Sequence, residues 1–85
     1  MACLQRLFLI ILISKQKFQE NLGRRIRHIR ENRGLSLRDV EAHDNSIDSA
    51  QLSRFENGEK IPMLYTLYKL AVILKVDIRD FFDAL

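Results

Sequence analysis

Apolar side chains recur at helical spacing along the first half of this sequence, and that repeat restricts the chain to helical folds. Successive members lie four, four and three residues apart and so share one face of a helix: Phe18, Leu22, Ile26 and Ile29. Gly34 follows them, and glycine readily adopts the left-handed conformation that ends a helix. We expect a first helix over 17–32. Only three glycines and one proline occur in 85 residues, which argues against a turn-rich β fold.

The remaining sequence carries start and stop signals for four more short helices. The first of them covers 37–43 and follows Ser36, which forms a capping box with Asp39. The next covers 48–57, from Asp48, with Gln51 as its reciprocal cap, to the Asn57-Gly58 stop. A further helix covers 63–74 after Pro62, and a last short helix follows Asp77. Their expected inward residues are Leu37, Val40, Leu52, Phe55, Leu64, Leu67, Leu70 or Ala71, Leu74, Ile78, Phe81, Phe82 and Leu85. The sequence therefore predicts a five-helix, all-α domain over residues 17–85, behind an apolar extension over residues 1–16.

The N-terminal extension contains seven consecutive apolar residues, Leu7 to Ile13. That is far short of the roughly 20 apolar residues that a membrane-spanning helix needs, and no small-residue cleavage site of a signal peptide follows it. Three interpretations stay open: an element that packs on the domain or on a second subunit, a membrane-proximal anchor, and translated sequence upstream of the true start. We favour the first and third over membrane contact.

Charge is distributed unevenly along the chain. Residues 1–42 carry nine Lys/Arg against four Asp/Glu, a net charge of +5, whereas residues 43–85 carry five against seven, a net charge of −2. Such asymmetry favours an anionic partner, nucleic acid above all, although chance clustering on a solvated helix gives the same pattern.

The residues that carry most enzyme and metal chemistry are scarce. Cys3 is the only cysteine, which excludes an intramolecular disulfide and fits a reducing, cytoplasmic location. His28 and His43 are too few and too far apart for a zinc site, so we expect no metal and no other cofactor. The sequence contains no acid–base pair, nucleophile–base pair or phosphate-binding loop, and we expect a protein that is not an enzyme.

Residues 37–57 combine a short helix, a tight turn and a second helix. In a helix-turn-helix the second helix enters the major groove of DNA while the first crosses the backbone. The two helices need apolar residues where they cross, here Val40 against Leu52 and Phe55. The outer face of the second helix offers small or hydrogen-bonding side chains, namely Ser49, Ala50, Ser53 and Arg54. The helix N-termini offer amides to phosphates.

Residues Leu22 to Phe82 resemble the Cro/repressor-type helix-turn-helix family, also called the XRE family. The matching segments are LGRRIRHIRENRGLS, QLSRFENGEKIP and LYKLAVILKVDIRDFF, of which LSRFENGEKIP is the most specific. The resemblance implies a five-helix, lambda-repressor-like domain that binds double-stranded operator DNA, usually as a homodimer, and regulates transcription. The alternative hypothesis is a protein-interaction module, such as an antitoxin that holds a toxin partner.

The resemblance also assigns roles to individual positions. Base contacts are expected from Ser49, Ala50 and Arg54. Contacts to the DNA backbone or other contacts are expected from Arg24, Arg25, Arg38, Gln51, Ser53, Asn57, Gly58 and Lys60. Glu56 matches a structural acid at the helix end. For Arg54, the alternatives to base contact are a pair with Glu56 or Asp48 and contact with a phosphate. The arginines of the first helix other than Arg24 and Arg25 are expected to be mostly solvated or paired with Glu20 or Glu31.

Three positions depart from the family pattern. The turn at 43–47 is one residue longer than usual, and Asn45 or Ser46 replaces its glycine; asparagine tolerates the left-handed conformation, so we expect the turn to survive. Glu41 replaces the alanine of the helix crossing, where we expect it to alter the interhelical angle. Leu37 replaces a polar residue that commonly touches phosphate.

Overall fold

The computed structural model describes residues 14–83, and within that range the chain is entirely helical. Its elements are α1 (Lys15–Asn32), α2 (Leu37–His43), α3 (Ser49–Glu56), α4 (Leu64–Leu74) and a C-terminal 3-10 helix (Ile78–Phe82). The all-α prediction is confirmed. Within these residues no helix is both long and apolar enough to cross a membrane. The expectations for the apolar run before Ser14 and for Leu85 lie outside the described residues.

Side-chain caps set the starts of the helices, as the sequence predicts. Ser36 and Asp39 exchange both hydrogen bonds of a capping box at the start of α2. Asp48 Oδ1 accepts the backbone N–H of Gln51 at 2.6 Å at the start of α3. Helix α1 begins two residues before the predicted position, because Ser14 Oγ accepts a backbone N–H from the first turn at 3.1 Å.

Backbone conformation explains where two helices stop. Gly34 and Gly58 have φ of 71° and 75°, in the left-handed region where a side chain is strained. Both predicted stops are therefore confirmed. Helix α4 ends differently, with Lys75 in the left-handed conformation at φ 58°.

The C-terminal part departs from the sequence prediction in three ways. The last element is a 3-10 helix of five residues instead of an α-helix. Leu64 is 72% exposed, because it occupies the first turn of α4 beside Met63 and faces away from the core. Phe82 is 42% exposed, since the tight 3-10 geometry directs Phe81 inward and its neighbour outward.

One hydrophobic core joins all five elements. Its buried members are Leu22, Ile26, Ile29, Val40, Ile47, Leu52, Phe55, Leu67, Leu70, Ala71, Leu74 and Phe81. Phe18 and Leu37 are partly buried against it. The core therefore contains both helices of the predicted helix-turn-helix and holds α3 by its inner face.

Helix α1 approaches α3 very closely at Gly23. A Cβ placed on this residue would lie 2.4 Å from the backbone oxygen of Phe55 and 2.6 Å from that of Glu56. No side chain fits at that distance, so only glycine permits the contact. The middle of α1 consequently lies directly beside the C-terminal end of α3.

A buried ion pair reinforces the same contact. Arg30 Nε donates to Glu56 Oε2 at 2.7 Å, and Arg30 Nη2 donates to Glu56 Oε1 at 2.9 Å. Arg30 Nη1 donates in addition to the backbone oxygen of Leu35 at 2.7 Å. Arg30 is thus not solvated: it lies 3.8 Å from Glu31, one of its expected partners, but its main partner is Glu56. Four residues after Ile26 it still falls on the inner side of α1. The structural role expected for Glu56 is borne out by this geometry.

Candidate nucleic-acid interface

Helix α3 has a buried inner face and an accessible outer face. Leu52, Phe55 and Glu56 are buried. The accessible side carries Ser49 and Ser53, which are half-buried, and Ala50 and Arg54, which are exposed. These four outer positions are spaced by one, three and one residues, so they share one side of the helix. The structure thus groups the three predicted base-contacting residues on one surface.

Arg54 has the longest hydrogen-bonding side chain on this surface, and the two carboxylates that could pair with it bind other groups. Glu56 is bonded to Arg30 inside the domain, and Asp48 caps the first turn of α3. Among the described residues, no carboxylate lies within ion-pair distance of the Arg54 guanidinium. Its five donors are therefore available to an external acceptor.

Two carboxylates occupy the N-terminal end of α3. Glu41 Oε1 accepts the backbone N–H of Ser49 at 3.3 Å, and Asp48 accepts that of Gln51. Negative charge here is stabilised by the helix dipole, but it repels a phosphate. The expectation of an open, phosphate-binding N-terminus does not hold at α3. Within residues 14–83, Ala50 supplies the first-turn amide of α3 that has no hydrogen-bond partner.

The lengthened turn between α2 and α3 is closed by Asp44. Its Oδ1 accepts from the backbone N–H of Ser46 at 2.9 Å and from the Ser46 hydroxyl at 2.6 Å. Its backbone oxygen accepts from Ile47 at 3.0 Å, and Ile47 is buried in the core. Asn45 does not adopt a positive φ, so the left-handed conformation expected for this turn is not used. An Asx-type turn replaces the glycine.

Lys69 of α4 connects this turn to α4 by an ion pair and a hydrogen bond. Its ammonium lies 3.5 Å from Asp44 Oδ2 and donates to the Ser46 hydroxyl. It also lies 5.1 Å from the centre of the Tyr65 ring, within cation–π range. The hydrogen bonds from Ser46, followed by the charge of Lys69, hold the pKa of the Asp44 carboxyl below its usual range.

The predicted DNA-backbone contacts fall into exposed and structural groups. Arg38 and Lys60 are exposed. Asn57 is exposed too, and its Nδ2 donates to Ser53 Oγ at 3.4 Å. Gly58 is buried: its oxygen accepts from Gln19 at 3.1 Å, and a Cβ there would lie 3.0 Å from the backbone of α1. Gly58 is thus engaged in the α1 contact.

The two α1 arginines that the sequence predicts to contact the DNA backbone differ in the same way. Arg24 is exposed, next to the close approach at Gly23, and donates to Asn21 Oδ1 at 2.5 Å. Arg25 is half-buried and turns towards the C-terminal 3-10 helix, where its Nε donates to the backbone oxygen of Asp80 at 2.7 Å. Arg25 lies 3.9 Å from an Asp83 carboxylate oxygen as well. The structure therefore directs Arg25 into an intramolecular contact.

Sequence reasoning missed two residues that shape this surface. For Glu41 the sequence predicts an effect on the angle between α2 and α3, but it gives no sign of the hydrogen bond that Glu41 accepts from the Ser49 amide at the start of α3. Lys69 was not singled out, although it is the only charged residue within Leu64–Leu74. A single lysine in an otherwise uncharged helix is the sequence signal by which this ion pair could have been predicted.

Comparisons with known proteins agree with this geometry. A family model described as helix-turn-helix matches residues 26–81. The crystal structure of the DNA-binding domain of BldD is similar, with a TM-score of 0.72 and 26% sequence identity over 81% of this chain and 97% of that chain. A comparison with curated proteins finds no significant match. The family match covers well over half of the sequence, and the chain belongs to the Cro/repressor-type, or XRE, helix-turn-helix family.

Proposed function

We propose that this protein is a sequence-specific DNA-binding regulator of transcription that reads the major groove with α3 as a homodimer. The observation that carries the proposal is the outer face of α3, where Arg54 is exposed and unpaired among the described residues beside small side chains. The similar crystal structure is by its title a DNA-binding domain. The role is regulatory rather than enzymatic.

The outer residues of α3 suit direct contact with base edges. An arginine donates two parallel hydrogen bonds to O6 and N7 of guanine, a contact that contributes about 1–3 kcal/mol of discrimination. Ala50 suits a thymine methyl group, and Ser49 suits a donor or an acceptor. Because Leu52 and Phe55 are locked in the core, α3 presents these groups on a rigid support.

Contacts with phosphates rest on side chains rather than on the start of α3, where two carboxylates already bind the amides. Lys60 and Arg38 are exposed and carry the required charge, and Arg24 joins them at the α1 side. Gln51, Ser53 and Asn57 complete the set as hydrogen-bonding groups at the edge of α3. Each phosphate neutralised releases counterions, so binding weakens as salt rises.

The test is a selection of DNA fragments from a random pool by the purified protein, followed by titrations at several salt concentrations. We expect a two-fold symmetric site. Arg54→Ala should lower discrimination at one base pair of each half-site by roughly 5- to 150-fold. Lys60→Ala should weaken binding to all sequences alike and reduce the salt slope by about 1 for each phosphate that is no longer neutralised.

Arg79→Ala is the matched control for Arg54→Ala. Arg79 is exposed as well, but it pairs at 3.0 Å with Asp77, the residue that caps the C-terminal 3-10 helix. Salt-dependent binding without sequence preference would contradict base reading by α3. A folded protein that binds no DNA would contradict the whole proposal and would favour the protein-interaction hypothesis, with a toxin or another protein as partner.

A further inference from the structure

Helix α4 carries an exposed apolar surface beside its buried one. The buried face consists of Leu67, Leu70, Ala71 and Leu74. Next to it lie five apolar side chains that are between 56% and 76% exposed, here called the outer α4 stripe: Met63, Leu64, Tyr65, Tyr68 and Val72. Within residues 14–83, Phe82 is the one further large apolar side chain that is exposed. The exposed apolar surface of the described domain is thus concentrated along one helix.

The outer α4 stripe is large for a surface that stays in contact with water. A tyrosine covers about 150–250 Å² when it is fully buried, so the five exposed side chains together offer on the order of 600 Å². Monomeric proteins rarely leave a larger apolar patch uncovered. Two such stripes bury about 1,200 Å² against each other, which exceeds the roughly 1,000 Å² that a specific interface needs. The area is therefore sufficient for contact between two copies of this chain.

The charges around the stripe suit contact between identical copies. None of its members is charged, so the stripe does not suit the phosphates of DNA. Lys69 is the only charged residue within α4, and its ammonium lies 3.5 Å from Asp44 Oδ2 and donates to the Ser46 hydroxyl. At a two-fold axis a surface meets its own copy, so an uncompensated lysine there would meet a second lysine. Asp44 neutralises this repulsion within each copy.

The spacing of the stripe is that of a helix that packs along another helix. Tyr65, Tyr68 and Val72 follow one another by three and four residues, which places them on one seam of the kind that joins paired helices. The rings of the two tyrosines stack with centres 6.3 Å apart, so they form one continuous surface. The α4 helix of a second copy offers the same spacing, the same length and the same lack of charge.

The ends of α4 favour an antiparallel arrangement. No acidic residue lies in its first turn and no basic residue in its last turn, so nothing within the helix offsets its dipole. An antiparallel neighbour places the positive end of one helix beside the negative end of the other. With Tyr68 at the two-fold axis, Tyr65 of each copy then meets Val72 of the second copy, a large side chain against a small one.

We infer that the outer α4 stripe is the homodimer interface, in which α4 pairs antiparallel with α4 of a second copy around Tyr68. The inference rests on the proposed function, which includes a homodimer, and names the surface that forms it. Burial of the two stripes removes their apolar area from water. No stripe residue is among the proposed DNA contacts, so the pairing leaves the outer face of α3 free.

The test is sedimentation equilibrium of the full chain without DNA at several protein concentrations, for which we expect a monomer–dimer equilibrium. Tyr65→Lys and Val72→Glu each place a charge against an apolar side chain twice per dimer. Each alone should raise the Kd of the dimer by roughly 100-fold. An equimolar mixture of the two variants should restore the dimer, because the two new charges then face each other across one half of the interface.

Ala42→Lys and Ala42→Glu are the matched controls, because they put the same charges at an exposed position on α2 and should leave the Kd unchanged. Circular dichroism shows whether each variant is folded. A dimer that survives both stripe variants, or a mixture that stays monomeric, would overturn the inference. A full chain that is monomeric would overturn it in favour of another protein as the occupant of the stripe.

Selection of DNA fragments by Tyr65→Lys separates this inference from the proposed function. Since α3 is unchanged in that variant, it should select the same half-site sequence as the unmodified protein while binding as single copies. Selection of the intact two-fold site by two cooperating copies of Tyr65→Lys would overturn the interface alone. Loss of sequence preference in the unmodified protein would count against base reading by α3, whatever its oligomeric state.

Discussion

At the scale of single residues, Glu56 accepts two hydrogen bonds from Arg30, and both side chains are buried between α1 and α3. The hydrogen bonds with Glu56 raise the pKa of Arg30, so its guanidinium remains charged. A buried charge without a partner is strongly destabilising, whereas the intact pair is close to neutral. The pair therefore specifies how α1 and α3 fit together more than it adds to stability.

Removal of one partner tests this pair. Glu56→Gln keeps the size of the side chain and leaves the Arg30 charge uncompensated, so the free energy of unfolding should fall by about 3 kcal/mol. Urea denaturation followed by circular dichroism measures the change. Glu31→Gln is the control, since Glu31 pairs with Arg27 in an exposed i,i+4 pair and should change stability little. Equal effects of the two substitutions would contradict this interpretation.

Gly23 offers a second test at the residue scale. Gly23→Ala should raise helix propensity by about 1 kcal/mol, yet its Cβ would meet the Phe55 backbone oxygen at 2.4 Å. Unlike a flexible side chain, the backbone oxygen cannot rotate away from the new Cβ, so α1 and α3 must move apart. This movement should lower the free energy of unfolding by roughly 1–3 kcal/mol or more. We expect a net loss of stability in urea denaturation. A raised midpoint would show that the close approach is not required.

At the scale of elements, the position of α3 depends on contacts at both of its ends. Its start is held by Asp48, Glu41 and the Asx-type turn, and its end by the Arg30–Glu56 pair. The turn is itself fastened to α4 by Lys69. The helix proposed to read DNA is thus positioned by α1, α2 and α4 together.

The turn makes stability depend on pH. Because hydrogen bonds from Ser46 hold the pKa of Asp44 below its usual value in the folded state, the unfolded chain takes up the proton more readily. This contribution is present in full above pH about 4, the pKa of an unfolded aspartate, and is lost as pH falls through the folded pKa. Asp44→Asn should give a shallower loss of stability on acidification, measured by urea denaturation from neutral pH downwards. An unchanged pH slope would contradict the assignment.

At the scale of the whole molecule, the proposed homodimer has a geometric consequence. Two copies of α3 on one face of a duplex would read half-sites about 34–36 Å apart, or about 10 base pairs. Insertion of about 5 base pairs between the half-sites turns one of them to the opposite face. We expect the two-copy complex to disappear and single-copy binding to remain, as followed by analytical ultracentrifugation. Insertion of a full turn is the control, and equal binding to both spacings would argue against a fixed dimer.

Much of the fold is readable from local sequence, because helix caps and glycine stops act within a few residues. The Ser36–Asp39 box, the Asp48 cap and the stops at Gly34 and Gly58 all lie where the sequence predicts them. The family resemblance over Leu22 to Phe82 is confirmed by the family match over residues 26–81. The assignment of base and backbone contacts stays a prediction.

The sequence by itself determined the order of the helical elements and the inner face of each central helix, since those follow from periodicity and capping, although the last element is a 3-10 helix. Only the tertiary structure decided which polar side chains turn inward. Arg30 is buried because Glu56, 26 residues away, meets it across the α1–α3 contact, and Glu41 caps α3 because the turn folds back. Leu64 stays outside because one face of α4 already fills the core. Such choices depend on partners distant in sequence, and no local pattern encodes them.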